Sequence, residues 1–195
     1  MCGRYTLNVG LGELQKRYQA EAAPEGVEEV EKEEVFPTSR NLVLLPNHKL
    51  YLLKWGFTPS YAKQPIINAR SESVLSKPTF KEPFEKKRCI VPATSFFEWQ
   101  KQEGQEKKIK REIFIKGLPI FSIAGICERY KGENGESILT YTILTTEANE
   151  QMKPIHHRMP VLLHPEDEKT YLDLESDLSD VQKLLKSYTG ELVIK

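Results

Sequence analysis

The feature that most constrains this chain is where its strand-like and helix-like segments fall. Strand patterns crowd into the middle of the sequence, and most helical patterns lie outside that crowd. Arg88-Cys89-Ile90-Val91-Pro92 is a short apolar run, and Leu139, Tyr141 and Ile143 alternate with Thr140, Thr142 and Leu144 across 138–145. Residues 111–116 and 119–127 flank Gly117-Leu118-Pro119, a pattern that predicts a hairpin. Earlier, Pro46 and Asn47 separate the apolar runs 41–45 and 50–54, which read as a second hairpin leading into Trp55-Gly56-Phe57. A last strand is expected at 191–194. Leu11, Leu14 and Tyr18 fall at helical spacing and predict a helix over 10–20. The stretch 71–87 reads as short helices broken by Pro78 and Pro83. Residues 165–174 and 177–188 read as helices with acidic or Ser/Asp starts suited to capping. This arrangement predicts an α+β fold with a mainly antiparallel β core and peripheral helices, rather than βαβ units. Neither GxGxxG nor GxxxxGK[ST] occurs, so the usual nucleotide-binding loops are missing.

At 195 residues, with no internal repeat and no linker-like stretch, the chain reads as one domain spanning 1–195. The segment 22–34 is acidic and reads as a solvated loop. Lys plus Arg (28) balances Asp plus Glu (28), which argues against coating duplex DNA by bulk charge but permits a local basic groove. No signal peptide and no apolar run near the ~18 residues of a membrane span are visible, so a cytoplasmic protein with no membrane partner is expected. The three cysteines are widely spaced without a CxxC, which disfavours both a disulfide framework and a zinc site. Cys89 and Cys127 read as buried strand cysteines.

Cys2 differs from these two. Initiator methionine is usually removed before a small residue, and its removal here would leave Cys2 with a free α-amine and a thiol on adjacent carbons. Such a 1,2-aminothiol condenses with an aldehyde and closes a thiazolidine ring. With ordinary pKa values of about 7.7–8.0 for the amine and about 8.5 for the thiol, both nucleophiles are accessible near neutral pH. Alone, Cys2 also fits an inert residue near a start codon. Arg4 adds a cation two residues away that favours thiolate and can hold a phosphate.

Three further segments carry reactive groups. In Ile66-Ile67-Asn68-Ala69-Arg70, an amide able to orient a carbonyl or hydroxyl lies beside a guanidinium able to clamp a phosphate; the alternative is a loop Asn with a surface Arg. In Phe96-Phe97-Glu98-Trp99, a carboxylate is flanked by aromatics; if buried, it becomes a general acid or base working near neutrality, and if turned outward it is a surface Glu. In Ile155-His156-His157-Arg158-Met159-Pro160, two of the four histidines are adjacent. On an extended segment they would face opposite ways, so one alone would enter a site. Without a further His or Cys they make a poor metal site, and neither a metal nor any other cofactor is expected.

Met1-Cys2-Gly3-Arg4-Tyr5, the Trp55-Gly56 step, Asn68-Ala69-Arg70, Phe97-Glu98-Trp99 and His156-His157-Arg158-Met159-Pro160 occur in the order of the motifs of the SOS response-associated peptidase (SRAP) family, and the chain resembles that family from residue 1 to about residue 170. The resemblance implies a mainly antiparallel α+β domain that recognises abasic sites in single-stranded DNA in the DNA damage response. It further implies that Cys2 forms a covalent thiazolidine with the ring-opened sugar, with Asn68, Glu98 and His156 as the other catalytic residues. Arg4 and Arg70 match phosphate-holding positions. Its "peptidase" would be removal of Met1, by self-processing or by an aminopeptidase, and a lyase mode through the Schiff base is a variant. A monomer associated with the nucleoid when DNA-bound is expected.

The chain departs from the family where a pair of base-stacking aromatics often follows the Trp-Gly step. Here the stretch is Thr58-Pro59-Ser60-Tyr61, and Tyr61 is the one candidate. The basic run Lys107-Lys108-Ile109-Lys110-Arg111 reads as a solvated hairpin end, with DNA contact as the alternative. Two other functions use the same residues: a cysteine peptidase or amidohydrolase built on Cys2 and His156, and a noncatalytic module that binds damaged single strands.

Overall fold

The computed structural model describes residues 2–22, 32–102, 104, 106–132 and 134–195. In chain order its elements are β1 (Tyr5–Leu7), α1 (Leu11–Tyr18), β2 (Glu21–Ala22), β3 (Lys32–Val35), β4 (Arg40–Leu44), β5 (Lys49–Trp55), β6 (Asn68–Arg70), α2 (Pro78–Lys86), β7 (Arg88–Ala93), β8 (Ser95–Gln100), β9 (Ile109–Ile115), β10 (Phe121–Lys131), β11 (Ser137–Glu147), β12 (Arg158–Pro160), β13 (Leu162–Leu163), α3 (Glu168–Leu172), α4 (Leu178–Lys183) and β14 (Leu192–Ile194). The expected α+β class with a mainly antiparallel core is what forms. The centre of the acidic segment 22–34 lies outside the described residues; its ends are the short strands β2 and β3. Among the described residues no helix is long and apolar enough to cross a membrane.

Five strands close on themselves. β11, β10, β7, β4 and β5 pair in sequence, all antiparallel, and β5 returns to β11 through a parallel contact that sets Lys54 against Thr140 and Trp55 against Tyr141. Period-two alternation sorts the side chains of this ring. Leu42, Leu44, Ile90, Ala124, Ile126 and Leu144 share a core with Leu14 and Tyr18 of α1, Phe84 of α2, Tyr171 of α3 and Val181 of α4. Helices can pack only outside so small a ring. The other face is therefore the interior, filled by Val43, Leu53, Trp55, Cys89, Val91, Ile123, Cys127, Tyr141 and Ile143. Both strand cysteines are buried there, as expected.

A second sheet, β14-β9-β8-β1-β3, adds Tyr5, Val35, Phe96, Ile113 and Leu192 to the same interior core. The chain enters it directly from the barrel, β7 running into β8. The two are joined by a polar contact within the core: the Tyr5 and Tyr141 hydroxyls lie 2.7 Å apart, and Asn41 Nδ2 donates to Tyr5 Oη at 2.7 Å. Tyr5 meets the Trp55 ring edge-on, and Tyr141 stacks on its face. Burying these hydroxyls without partners would cost about 1–3 kcal/mol each, so their mutual bonding makes a polar barrel interior tolerable.

Two local readings of the sequence need correction. The turn at Gly117 (φ 76°) does not close a hairpin. β9 pairs with β8 and β14, β10 pairs with β7, β11 and β13, and a single bridge from Ile115 to Leu118 marks the corner. A Gly-Pro turn signals a change of direction, not which strands then pair. In the stretch 71–87 a 3₁₀ helix at Ser71–Ser73 precedes α2, which starts at Pro78, so a helix boundary does fall there; Pro83 lies within α2 and does not break it.

Gly56 has φ 116°, and a Cβ there would approach Pro65 Cβ to 2.8 Å; its N–H donates to Tyr141 O at 2.7 Å beside the barrel closure. Gly56→Ala is expected to lower unfolding stability by about 1–3 kcal/mol in urea titration. Gly12→Ala, in open space on α1, should be neutral or stabilising. A Gly56→Ala variant as stable as wild type would contradict this role for the backbone at Trp55-Gly56.

Candidate active site

Cys2 is not a loose terminus. It is fully buried in the interior core, beneath the junction of barrel and second sheet. β1 sets Tyr5 against Phe96 of β8, and the approach continues to Phe97 N, which donates to Arg4 O at 2.9 Å. This pairing brings the start of the chain alongside Glu98. Phe96 and Glu98 point to the interior face of β8, and Phe97 and Trp99 to the other. Glu98 is thus 2% exposed. Burial holds its carboxyl above the usual carboxylate range, so it keeps a proton to higher pH than a surface Glu. The Cys2 thiol is pushed up by burial first and then by the Glu98 charge, and it is a thiol rather than a thiolate at neutral pH.

Asn68 reaches the same place from β6. That strand lies parallel to β11, with Asn68 opposite Ile143, and the preceding carbonyl, Ile67 O, accepts from Trp55 Nε1 at 2.9 Å. Asn68 Nδ2 donates to the Cys2 carbonyl at 2.9 Å. Its Oδ1 is buried with no hydrogen bond among the described residues, leaving an acceptor beside Cys2.

His156 comes from a turn anchored by Asn149, whose Oδ1 accepts from Met152 N at 3.0 Å and whose Nδ2 donates to Tyr188 O at 2.8 Å. His156 Nδ1 lies 3.0 Å from Arg158 N and 3.1 Å from Arg158 O, so in the neutral ring it accepts from the one or donates to the other according to the tautomer. Burial lowers the His156 pKa and favours that neutral ring. The expectation that His156 and His157 face opposite ways fails: their rings stack with centroids 4.4 Å apart, because they leave a tight turn rather than an extended strand.

The arginines play different parts. Arg158 is nearly buried and grips Glu72 with two nitrogens, at 2.6 and 2.9 Å, while donating to Thr145 O at 2.6 Å. This bond holds Glu72 well below the usual carboxylate range. The sequence motif contains Arg158 but does not reveal its distant partner Glu72. Arg4 ion-pairs with Glu34 at 3.1 Å and lies over the Phe36 and Trp99 rings. Arg70 lines a cleft of about 370 Å³ with Lys153, His157 and Arg158. Tyr61 is 68% exposed, away from the core, with its hydroxyl bonded to Thr79. A larger groove of about 940 Å³ is lined by Phe97 and Lys110 on the opposite face of β8 from Glu98, so it does not open on Cys2. No cluster of three His, Cys, Asp or Glu side chains fit for a metal occurs among the described residues.

The arrangement thus gathers Cys2, Asn68 and a carboxyl that is protonated more readily than usual. A sequence model of the family described as SOS response associated peptidase (SRAP) matches residues 1–195. The chain is 36% identical over 201 residues to the abasic site processing protein YoqW of Bacillus subtilis (strain 168), covering 98% of this chain and 89% of that protein. It is 33% identical over 162 residues to the abasic site processing protein HMCES of Gallus gallus, covering 69% of this chain and 48% of that one. A crystal structure of a Bacteroides thetaiotaomicron protein superposes with a TM-score of 0.89 at 28% identity, covering 99% of this chain and 90% of that chain.

The raised Glu98 pKa has a measurable sign. Between about pH 4.3, the ordinary Glu value, and the higher folded value, the native state holds a proton that the unfolded chain has lost. Stability contributed by protonated Glu98 is therefore present at low pH and lost as pH rises through that window. In urea titrations at pH 4 and pH 8, wild type should lose stability relative to Glu98→Gln as pH rises. A constant gap would show that Glu98 is not shifted upward.

Proposed function

The chain belongs to the SOS response associated peptidase family, and from that membership and this geometry we propose that it captures abasic sites in single-stranded DNA through a thiazolidine at Cys2. The observation that carries the reading is the convergence of Asn68 and Glu98 on a buried second residue.

The chemistry follows from the groups present. Hydrolysis of the Met1–Cys2 peptide frees the α-amine, by self-processing or by an aminopeptidase. Protonated Glu98 gives its proton to the ring oxygen as the C1′–O4′ bond breaks, and the C1′ hydroxyl proton leaves to restore the Glu98 carboxyl, exposing the C1′ aldehyde. The Cys2 amine adds to C1′, and loss of water, again assisted by Glu98, leaves a C=N bond. The thiol then adds across it: sulfur bonds to carbon, and the thiol proton passes to nitrogen. Because burial disfavours a standing thiolate, the thiol proton passes to the C=N nitrogen as sulfur attacks carbon. Asn68 fixes the Cys2 carbonyl, and its open Oδ1 is placed to accept from the amine or a sugar hydroxyl. His156, whose pKa is lowered by burial, stabilises the opened sugar's hydroxyl or shuttles a proton to it. Arg4 and Arg70 hold flanking phosphates, and Tyr61 stacks on a base. Strand cleavage through the C=N intermediate is a side route of the same chemistry.

A cysteine peptidase acting on external peptides is less well supported. It needs a thiolate, whereas burial and Glu98 both disfavour one here.

Met1-free protein incubated with an abasic single-stranded oligonucleotide should give an adduct that survives heating in denaturant. Cys2→Ala should abolish it. Glu98→Gln should slow its formation by about 10²–10⁴-fold, the usual contribution of a general acid. An adduct with Cys2→Ala, or none with wild type, would overturn the proposal.

A further inference from the structure

We infer that Lys108, on the hairpin joining β8 and β9, holds a backbone phosphate beside the captured sugar and is a strand-anchoring residue. This rests on the reading of Cys2 as the trap for abasic single-stranded DNA.

A strand entering the site brings a negative charge with every nucleotide, and the chain as a whole is electrically neutral. Local cations must therefore supply the attraction; several of them carry carboxylate partners, and Arg4 must leave Glu34 before it can hold a phosphate. Arg158 is bound twice to Glu72, and Arg4 is paired with Glu34. Lys110 also pairs with Glu34 and lies over the Phe97 ring, on the face of β8 away from Glu98. Lys108 is different. It is exposed, and among the described residues no carboxylate forms an ion pair with it.

Its placement follows from strand register. Gln100 is opposite Ile109 in the β8–β9 pair, so Lys108 is the next residue beyond the paired segment, where the strand alternation that turns Lys110 away from Glu98 no longer fixes its side chain. Gln100 Nε2 donates to Pro154 O at 3.1 Å, and Gln100 Oε1 accepts from Arg111 Nε at 2.9 Å. The root of the hairpin is thereby fastened to the turn that presents His156 two residues later. Glu98 is two residues from Gln100 on the same strand. Lys108 thus stands where the Glu98 strand and the His156 turn meet, and its positive charge acts on both groups. A flexible ammonium suits a phosphate that shifts as the sugar opens, since it binds as a point charge without a fixed fork geometry.

The test compares Met1-free wild type, Lys108→Gln and Lys108→Arg on two aldehydes: an abasic single-stranded oligonucleotide, and 2-deoxyribose, which has the sugar but no phosphate. With the oligonucleotide, Lys108→Gln should lower the second-order rate of adduct formation about 3–10-fold near 0.1 M salt. The log–log salt slope should fall by about 0.7, the share of one phosphate contact on a single strand. Lys108→Arg should keep most of the rate, and all three proteins should react with 2-deoxyribose within about two-fold. Equal slowing on both aldehydes would overturn the inference, because Lys108 would then act through Glu98 or His156. An unchanged rate and slope on the oligonucleotide would overturn it as well. Failure of wild type to react with either aldehyde would instead contradict the Cys2 reading. Equilibrium binding of an undamaged oligonucleotide still decides the role of Lys108 in that case: weaker binding by Lys108→Gln supports the phosphate contact, and equal binding refutes it.

Discussion

The parallel contact between β5 and β11 is the constraint on which the rest depends. It sets Trp55 beside Tyr141 and closes five strands into a ring. It also leaves β11 free, further along, to take β6 as a second parallel neighbour. Asn68 reaches Cys2 because β6 runs there, and Ile67 is held in register by Trp55 Nε1 and Ile143 N. The Tyr5–Tyr141–Asn41 contact ties the second sheet to the barrel at the same level. Cys2 thus rests on groups from strands far apart in sequence, and that support keeps it buried.

Burial explains the chemistry of the site more than any single charge pair. It raises Glu98, raises Cys2 and lowers His156, favouring the neutral form of each. In the proposed reaction, a shift toward the neutral forms suits steps in which protons move with the bonds: ring opening, loss of water, and addition of sulfur across C=N. The permanent charges are confined to its margin, where Arg158 and Arg4 are matched with carboxylates. Lys108 at the hairpin end complements that ring of paired charges, in keeping with a polyanionic strand that must be attracted without charging the interior.

Much of this could be read from the sequence where the signal was local. The helix at Leu11–Tyr18, the hairpin before Trp55 and the strands at 88–93 and 137–147 follow from apolar spacing and turn residues, which act over a few positions. The corner at Gly117 was misread because a turn motif carries no information about the next pairing partner. Likewise, the β5–β11 closure and the Glu72–Arg158 pair join residues 86 positions apart, and nothing local marks them. The two outcomes open for Glu98 were separated only by knowing which face of β8 meets the barrel. Cys2, Asn68, Glu98 and His156 were nameable through the family's motifs, while the contacts that bring Asn68 and Glu98 to Cys2 lie in non-local packing.

The central claim is that the amine and thiol of Cys2 both bond to the abasic sugar. Intact mass spectrometry before and after exposure to an abasic oligonucleotide, followed by digestion, tests it most directly. The account predicts that reacting protein lacks Met1, that the adduct mass equals protein plus oligonucleotide minus one water, and that the modified peptide begins at Cys2 with no alkylatable thiol. An adduct on protein that retains Met1, or one that leaves the Cys2 thiol open to alkylation, would contradict it.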